Sequence, residues 1–150
     1  DADQMVNTSN NERFHQQSRG YGYHAQSGAS GYNNNTYTYG NSWTTNDIIG
    51  VAIDLDNSKL NFHKNGTYQN SGVPTSGSTG TGAISIASGY TYLPTFSQYY
   101  GNEWFSLNFG NGSFQGTTVA SAGTNASGNG IFEYDCPTGY TALSTKGLNL

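Results

Sequence analysis

The stretch from Asp47 to Gly66 constrains the fold of this chain more than any other segment. Ile49, Val51, Ile53 and Leu55 recur at period two, and after the polar turn Asp56-Asn57-Ser58 the alternation resumes with Leu60 and Phe62. Side chains alternate across a strand, so this spacing predicts a β-hairpin with those apolar residues lining one buried face. Lys59, Asn61 and His63 are then expected to point to water. Asn65-Gly66 supplies residues that tolerate positive φ, which the chain needs to turn again. Such a meander is the centre of an all-β sandwich.

Composition agrees with many short strands joined by polar loops. Only 33% of the 150 residues are hydrophobic and 9% charged. Gly, Ser, Thr, Asn and Tyr fill the difference, a balance poor in helix formers, so almost no α-helix is expected. A chain of this length fits one domain and hides roughly 70% of its unfolded surface on folding. Net charge is −4, and the five basic residues, Arg13, Arg19, Lys59, Lys64 and Lys146, are scattered. Neutralising nucleic-acid phosphates takes a clustered basic patch, so no nucleic-acid partner is expected, and an anionic membrane is disfavoured on the same ground. No run approaches the roughly 20 apolar residues that span a bilayer, so no membrane insertion is expected. Cys136 stands alone. It reads as a small semi-buried residue, with an interchain bridge as the alternative.

Along the chain, residues 1–19 are polar and weakly patterned and read as a segment or loop. Arg19 to Tyr23 and Tyr37 to Tyr39 alternate aromatics with small or polar residues around a loop from His24 to Asn35, a second strand-loop-strand unit. Ser71 to Gly82 reads as a long Gly, Ser and Thr loop of the functional or mobile kind. Ile84 to Ile86 and Tyr90 to Tyr99 read as strands, with Pro94 marking an edge or an end. Trp104 to Phe109 alternates, placing Phe105, Leu107 and Phe109 towards the core. A polar loop from Gly116 to Gly130 precedes a closing stretch from Ile131 to Leu143.

The candidate sites divide by chemistry. Asp54 and Asp56 share one strand face, and paired carboxylates serve glycoside hydrolysis or calcium binding when further oxygens converge. Their spacing lacks the pattern of a calcium loop, and a solvated strand end with Asp56-Asn57 in the turn is the plainer reading. His15, His24 and His63 have no spacing suited to zinc, and no metal or other cofactor is expected. Tyrosine is the one chemically useful excess. Its ring anchors interfaces and stacks on sugars at small entropic cost, and it also simply suits half-buried strands. The binding candidates are the loop aromatics and amides Tyr32, Asn33, Asn34, Tyr37, Gln98, Tyr99, Tyr100, Asn102 and Trp104; Trp43 is placed in the core.

The segments Asp47 to Asp56, Leu60 to Gly66, Leu93-Pro-Thr-Phe96 and Leu107-Asn-Phe-Gly110 resemble the central and C-terminal strands of a SPRY domain. The ending from Gly130 to Leu148 is similar to that of SPRY modules in structural proteins of tailed phages, where a Pro-x-Gly-aromatic-x-Ala-Leu-x-Thr-x-x-Leu pattern recurs. The resemblance covers residues 20–150 and implies an antiparallel, concanavalin-like β-sandwich. Nothing before Gly20 matches the aromatic strands that open such a domain, so its N-terminal strands are expected to be missing, leaving an edge for another chain.

In function the resemblance implies a non-catalytic recognition and structural module of a virion, such as a fibre, decoration or adhesion protein, extracellular and in contact with other virion subunits, copies of itself, or a host surface glycan or protein. The rival readings are a glycan-active enzyme or lectin acting on host polysaccharide, with Asp54, Asp56, Glu103 and Glu133 the carboxylates on offer, and a purely structural filament or capsid subunit.

Overall fold

A computed structural model of the chain describes residues 18–97, 104–114, 117–120, 123–124, 128 and 130–143. Its described secondary structure is antiparallel β with short 3-10 turns and no α-helix. The expectation for residues 1–19, including the missing opening strands, falls almost wholly outside the described residues. The chain divides into two compact units, Asp1–Gly101 and Asn102–Leu150.

The first unit holds two sheets. In one, β1 (Tyr21–Tyr23), β2 (Ser30–Tyr32) and β3 (Asn35–Tyr37) lie in the order β1-β2-β3. In the other, β5 (Lys59–Lys64) is central. It pairs with β4 (Ile49–Asp54) on one side and with the short β6 (Thr67–Tyr68) and β7 (Ile84–Ser85) on the other. The core is a cluster of Tyr23, Tyr39, Leu60, Phe62, Ile84 and Ile86, with Trp43, Ile49, Tyr21, Tyr32 and Tyr92 packed against it. Trp43 therefore adjoins the core as expected, 6.2 Å from the Tyr23 ring.

The hairpin β4–β5 forms as expected, in a register that sets Ile53 opposite Leu60 and Val51 opposite Phe62, and the Asp54 carboxylate closes its turn by accepting the Asn57 N–H at 2.9 Å and the Asn57 amide at 2.8 Å. Its two faces depart from the expectation. Val51 and Ile53, on the edge strand β4, and Leu55, in the turn beyond it, are exposed, and Lys59 alone of the three polar residues approaches water: Asn61 is 1% exposed and His63 9%. Being central, β5 is covered on both faces. The His63 imidazole lies over Gly50, where a Cβ would fall inside the ring, and Asn61 sits against Gly72.

Three further expectations are corrected. Within His24–Asn35 the chain forms β2, because Asn33 and Asn34, at φ 50° and 60°, make a two-residue mirror-image turn that twists with the flanking strands. Residues 71–82 are organised by 3-10 turns at Gln69–Ser71 and Pro74–Thr79, pinned by Val73 N–H to Thr81 C=O at 3.0 Å and the Asn70 amide to Gly82 C=O at 3.2 Å. Residues 90–97 carry no strand: Pro94 lacks a donor, and the Tyr92 hydroxyl ties the segment back to the Ala87 carbonyl at 2.7 Å.

In the second unit β8 (Ser113–Phe114) pairs with β9 (Thr117–Thr118), and β10 (Gly123–Thr124) with β11 (Ile131–Phe132). The expected strand over Trp104 to Phe109 is absent, and Phe105, Leu107 and Phe109 are exposed. The Asn108 side chain makes the bonds a neighbouring strand would have made: its amide donates to the Ile131 carbonyl at 2.9 Å and its oxygen accepts the Gly110 N–H at 2.8 Å. From Ile131 to Leu143 only Ile131–Phe132 is strand. Cys136 is half-buried as expected, and burial, with Asp135 beside it, pushes its thiol pKa up.

Candidate functional site

The β2–β3 hairpin brings four of the sequence candidates together. Register puts Tyr21, Tyr32 and Asn35 in one row and Tyr23, Ser30 and Tyr37 in the next, all on one face. Tyr23 is buried at the inner end of that face, edge-on to Tyr39 at 5.6 Å and tilted on Phe62 at 5.5 Å. At the outer end the rings emerge. Tyr32 stacks on Tyr37 with centroids 4.4 Å apart and planes 17° apart, and Tyr21 touches Tyr32 at 5.8 Å and Tyr92 at 6.0 Å. Tyr37 is exposed, while Tyr21, Tyr32 and Tyr92 are half-buried against the core.

Backbone bonds hold this row in place. The Tyr21 hydroxyl accepts the Ala87 N–H at 2.9 Å, and the Tyr92 hydroxyl donates to the carbonyl of that same residue. Burial pushes the Tyr92 phenol up to about 12, with Tyr21 adding to the rise and Arg19 opposing it. Burial, then the hydrogen bond with Tyr37, raises the Tyr32 phenol. The Arg19 guanidinium lies 4.4 Å over the exposed Tyr90 ring. Phenol rings, amide groups of the Asn33-Asn34 turn and one stacked guanidinium make a surface suited to holding a partner.

Of the other candidates, Gln98, Tyr99, Tyr100 and Asn102 lie outside the described residues. Trp104 belongs to the second unit and is 87% exposed. Tyr90, Tyr92 and Arg19, absent from the sequence candidates, join the hairpin surface through contacts between residues some 70 places apart, which no local pattern in the sequence marks. Among the described residues no cluster of His, Cys, Asp and Glu could hold a metal. Both Asp54 oxygens are engaged by Asn57, and Glu133 accepts the Ala120 N–H at 2.8 Å. Among the described residues no helix is long and apolar enough to cross a membrane.

Comparison with known proteins gives one family and one curated relative. The family model of the SPRY domain matches residues 2–112. An E3 ubiquitin-protein ligase of Arabidopsis thaliana, RKP, is 35% identical over 81 residues, which cover 54% of this chain and 6% of that protein's length. No solved structure matches.

Proposed function

We propose, on the premise that this chain belongs to the SPRY domain family, that it is a non-catalytic recognition module which holds its partner on the aromatic end of the β2–β3 hairpin. SPRY domains are protein-interaction modules, and a protein is the partner class this reading adopts. The observation that carries the location is the Tyr32–Tyr37 stack at 4.4 Å, with Tyr37 exposed beyond it. An exposed phenol held parallel to a half-buried one loses little further freedom on binding, which is how tyrosines come to dominate interfaces.

The experiment is to probe protein and glycan arrays with the intact chain and to re-probe every hit with Tyr37→Ala. Loss of a protein hit by tenfold or more in the variant supports the reading, and unchanged binding defeats the assigned site. Capture of glycans alone would favour a lectin, a second reading that the Asn33 and Asn34 amides beside exposed rings make chemically reasonable.

The finer reading is that this module sits on a virion, as a tail-fibre, decoration or adhesion element outside the cell that touches sister subunits or a host surface. Its support is the resemblance of the Gly130 to Leu148 ending. Mass spectrometry of purified particles tests it: the chain must be found in them, and absence from every particle fraction defeats it.

A further inference from the structure

Among the described residues β4 is paired on one side only. Alternate residues of an antiparallel strand aim their N–H and C=O groups at the partner, and two bonds fix the phase here. The Asn65 N–H reaches the Ile48 carbonyl at 2.8 Å, so Ile48, and by alternation Gly50, Ala52 and Asp54, face β5. Phe62, opposite Val51, sends its N–H away from β4 to the Tyr39 oxygen. The main-chain groups of Ile49, Val51 and Ile53 therefore point out of the free edge.

The same three residues carry their side chains on one face, Val51 60% and Ile53 38% exposed, with Ile49 half-buried. Their order, Ile-x-Val-x-Ile, is the same in both directions about Val51. Sheet edges are ordinarily guarded by Lys, Pro or a bulge. From Ile48 to Asp54 there is no Lys, Arg or Pro, and the flanking acids are occupied, Asp54 by Asn57 and Asp47 by Lys64 at 3.1 Å.

We propose that β4 is a self-association edge, pairing antiparallel with β4 of a second copy about a two-fold axis through Val51. Val51 then faces its own counterpart, and Ile49 faces Ile53 in both directions. Each pair exchanges two main-chain hydrogen bonds, and the six apolar side chains form one strip along a sheet continuous through both copies. A second copy is the occupant the strand favours: the two-fold sets Val against Val and Ile against Ile along the whole strip, and the uncharged run from Ile48 to Ala52 gives neither copy a like charge to repel the other.

Sedimentation of the intact chain over a micromolar concentration series tests this. The expected species is a dimer of twice 16.0 kDa, reduced to monomer by Val51→Lys with the circular dichroism spectrum unchanged. Cysteine mapping in a Cys136→Ser background reads the register without relying on that variant. Paired residues of this kind lie about 5.5 Å apart between Cα atoms, within disulfide reach. Val51→Cys alone should crosslink, Ile49→Cys alone should not, and a mixture of Ile49→Cys with Ile53→Cys should. A wild-type chain that stays monomeric at every concentration overturns the proposal and leaves the edge to a different protein. Equal self-crosslinking by Ile49→Cys and Val51→Cys overturns the register.

Discussion

The phenol oxygen of Tyr39 stands where a strand would otherwise be, accepting the Phe62 N–H at 2.9 Å. On that side of β5 the partner β7 reaches Leu60 and β6 begins at His63, so Asn61 and Phe62 fall in the gap between them. Tyr39→Phe keeps the ring and leaves a buried N–H with no acceptor, which costs about 1–3 kcal/mol. Urea unfolding should show that loss with an unchanged m-value; a variant as stable as wild type would mean that water replaces the hydroxyl.

His63 should make the first unit acid-sensitive. Burial pushes its pKa down from an ordinary 6.5 to about 4. The unfolded chain therefore binds the proton first as pH falls. Stability is whole above about pH 6.5 and declines between 6.5 and 4, by about 3 kcal/mol at most. Asp47 is held below its ordinary 3.8, first by the Thr44 N–H and then by Asn65, so its contribution is lost at lower pH, outside that window. Denaturant titrations at a series of pH values should show the slope, and His63→Phe should flatten it between 6.5 and 4.

Gly50 is fixed by the ring above it. Gly50→Ala places a Cβ inside the space of the His63 imidazole and should cost about 1–3 kcal/mol, the usual range for overpacking. Adding His63→Ala should make the second change cheaper than in the wild-type background, with a coupling of about 0.5–3 kcal/mol. Additive losses would show that the crowding lies elsewhere.

The two stacked tyrosines should separate binding from folding. Tyr37 is exposed, so Tyr37→Ala should change stability by no more than about 0.5 kcal/mol. Tyr32 touches both Tyr21 and Tyr37 and adjoins the core, so Tyr32→Ala should cost more, about 1–3 kcal/mol. Thermal unfolding of the pair decides; equal losses would mean that Tyr37 is structural.

The β4–β5 hairpin is legible in the sequence because period-two alternation survives any placement in a sheet. Which strand lies at the edge is not legible, since alternation describes one strand and burial depends on its neighbours. That is why Val51 and Ile53 emerge exposed while Asn61 and His63 are hidden. The Tyr32 to Tyr37 half of the proposed binding surface was readable from its aromatics and asparagines. Arg19, Tyr90 and Tyr92 were not, because Tyr92 reaches it through the Tyr21 and Tyr92 hydroxyls meeting at Ala87, and Tyr90 meets Arg19 across some 70 residues of chain, contacts that no local pattern encodes.

Twelve tyrosines against seven phenylalanines now has a mechanical meaning. Tyr21, Tyr23, Tyr39 and Tyr92 each spend a hydroxyl on a main-chain group, at Ala87, Asn41, Phe62 and Ala87 respectively. Phenols thus act as detachable rungs, accepting from an amide at Phe62 and Ala87 and donating to a carbonyl at Asn41 and Ala87, so that short strands stop without orphaning those main-chain groups. A lineage carrying this layout could lengthen or trim its loops freely so long as those four oxygens stay in place, and exchange for phenylalanine, harmless to hydrophobicity, would be the change it tolerates least.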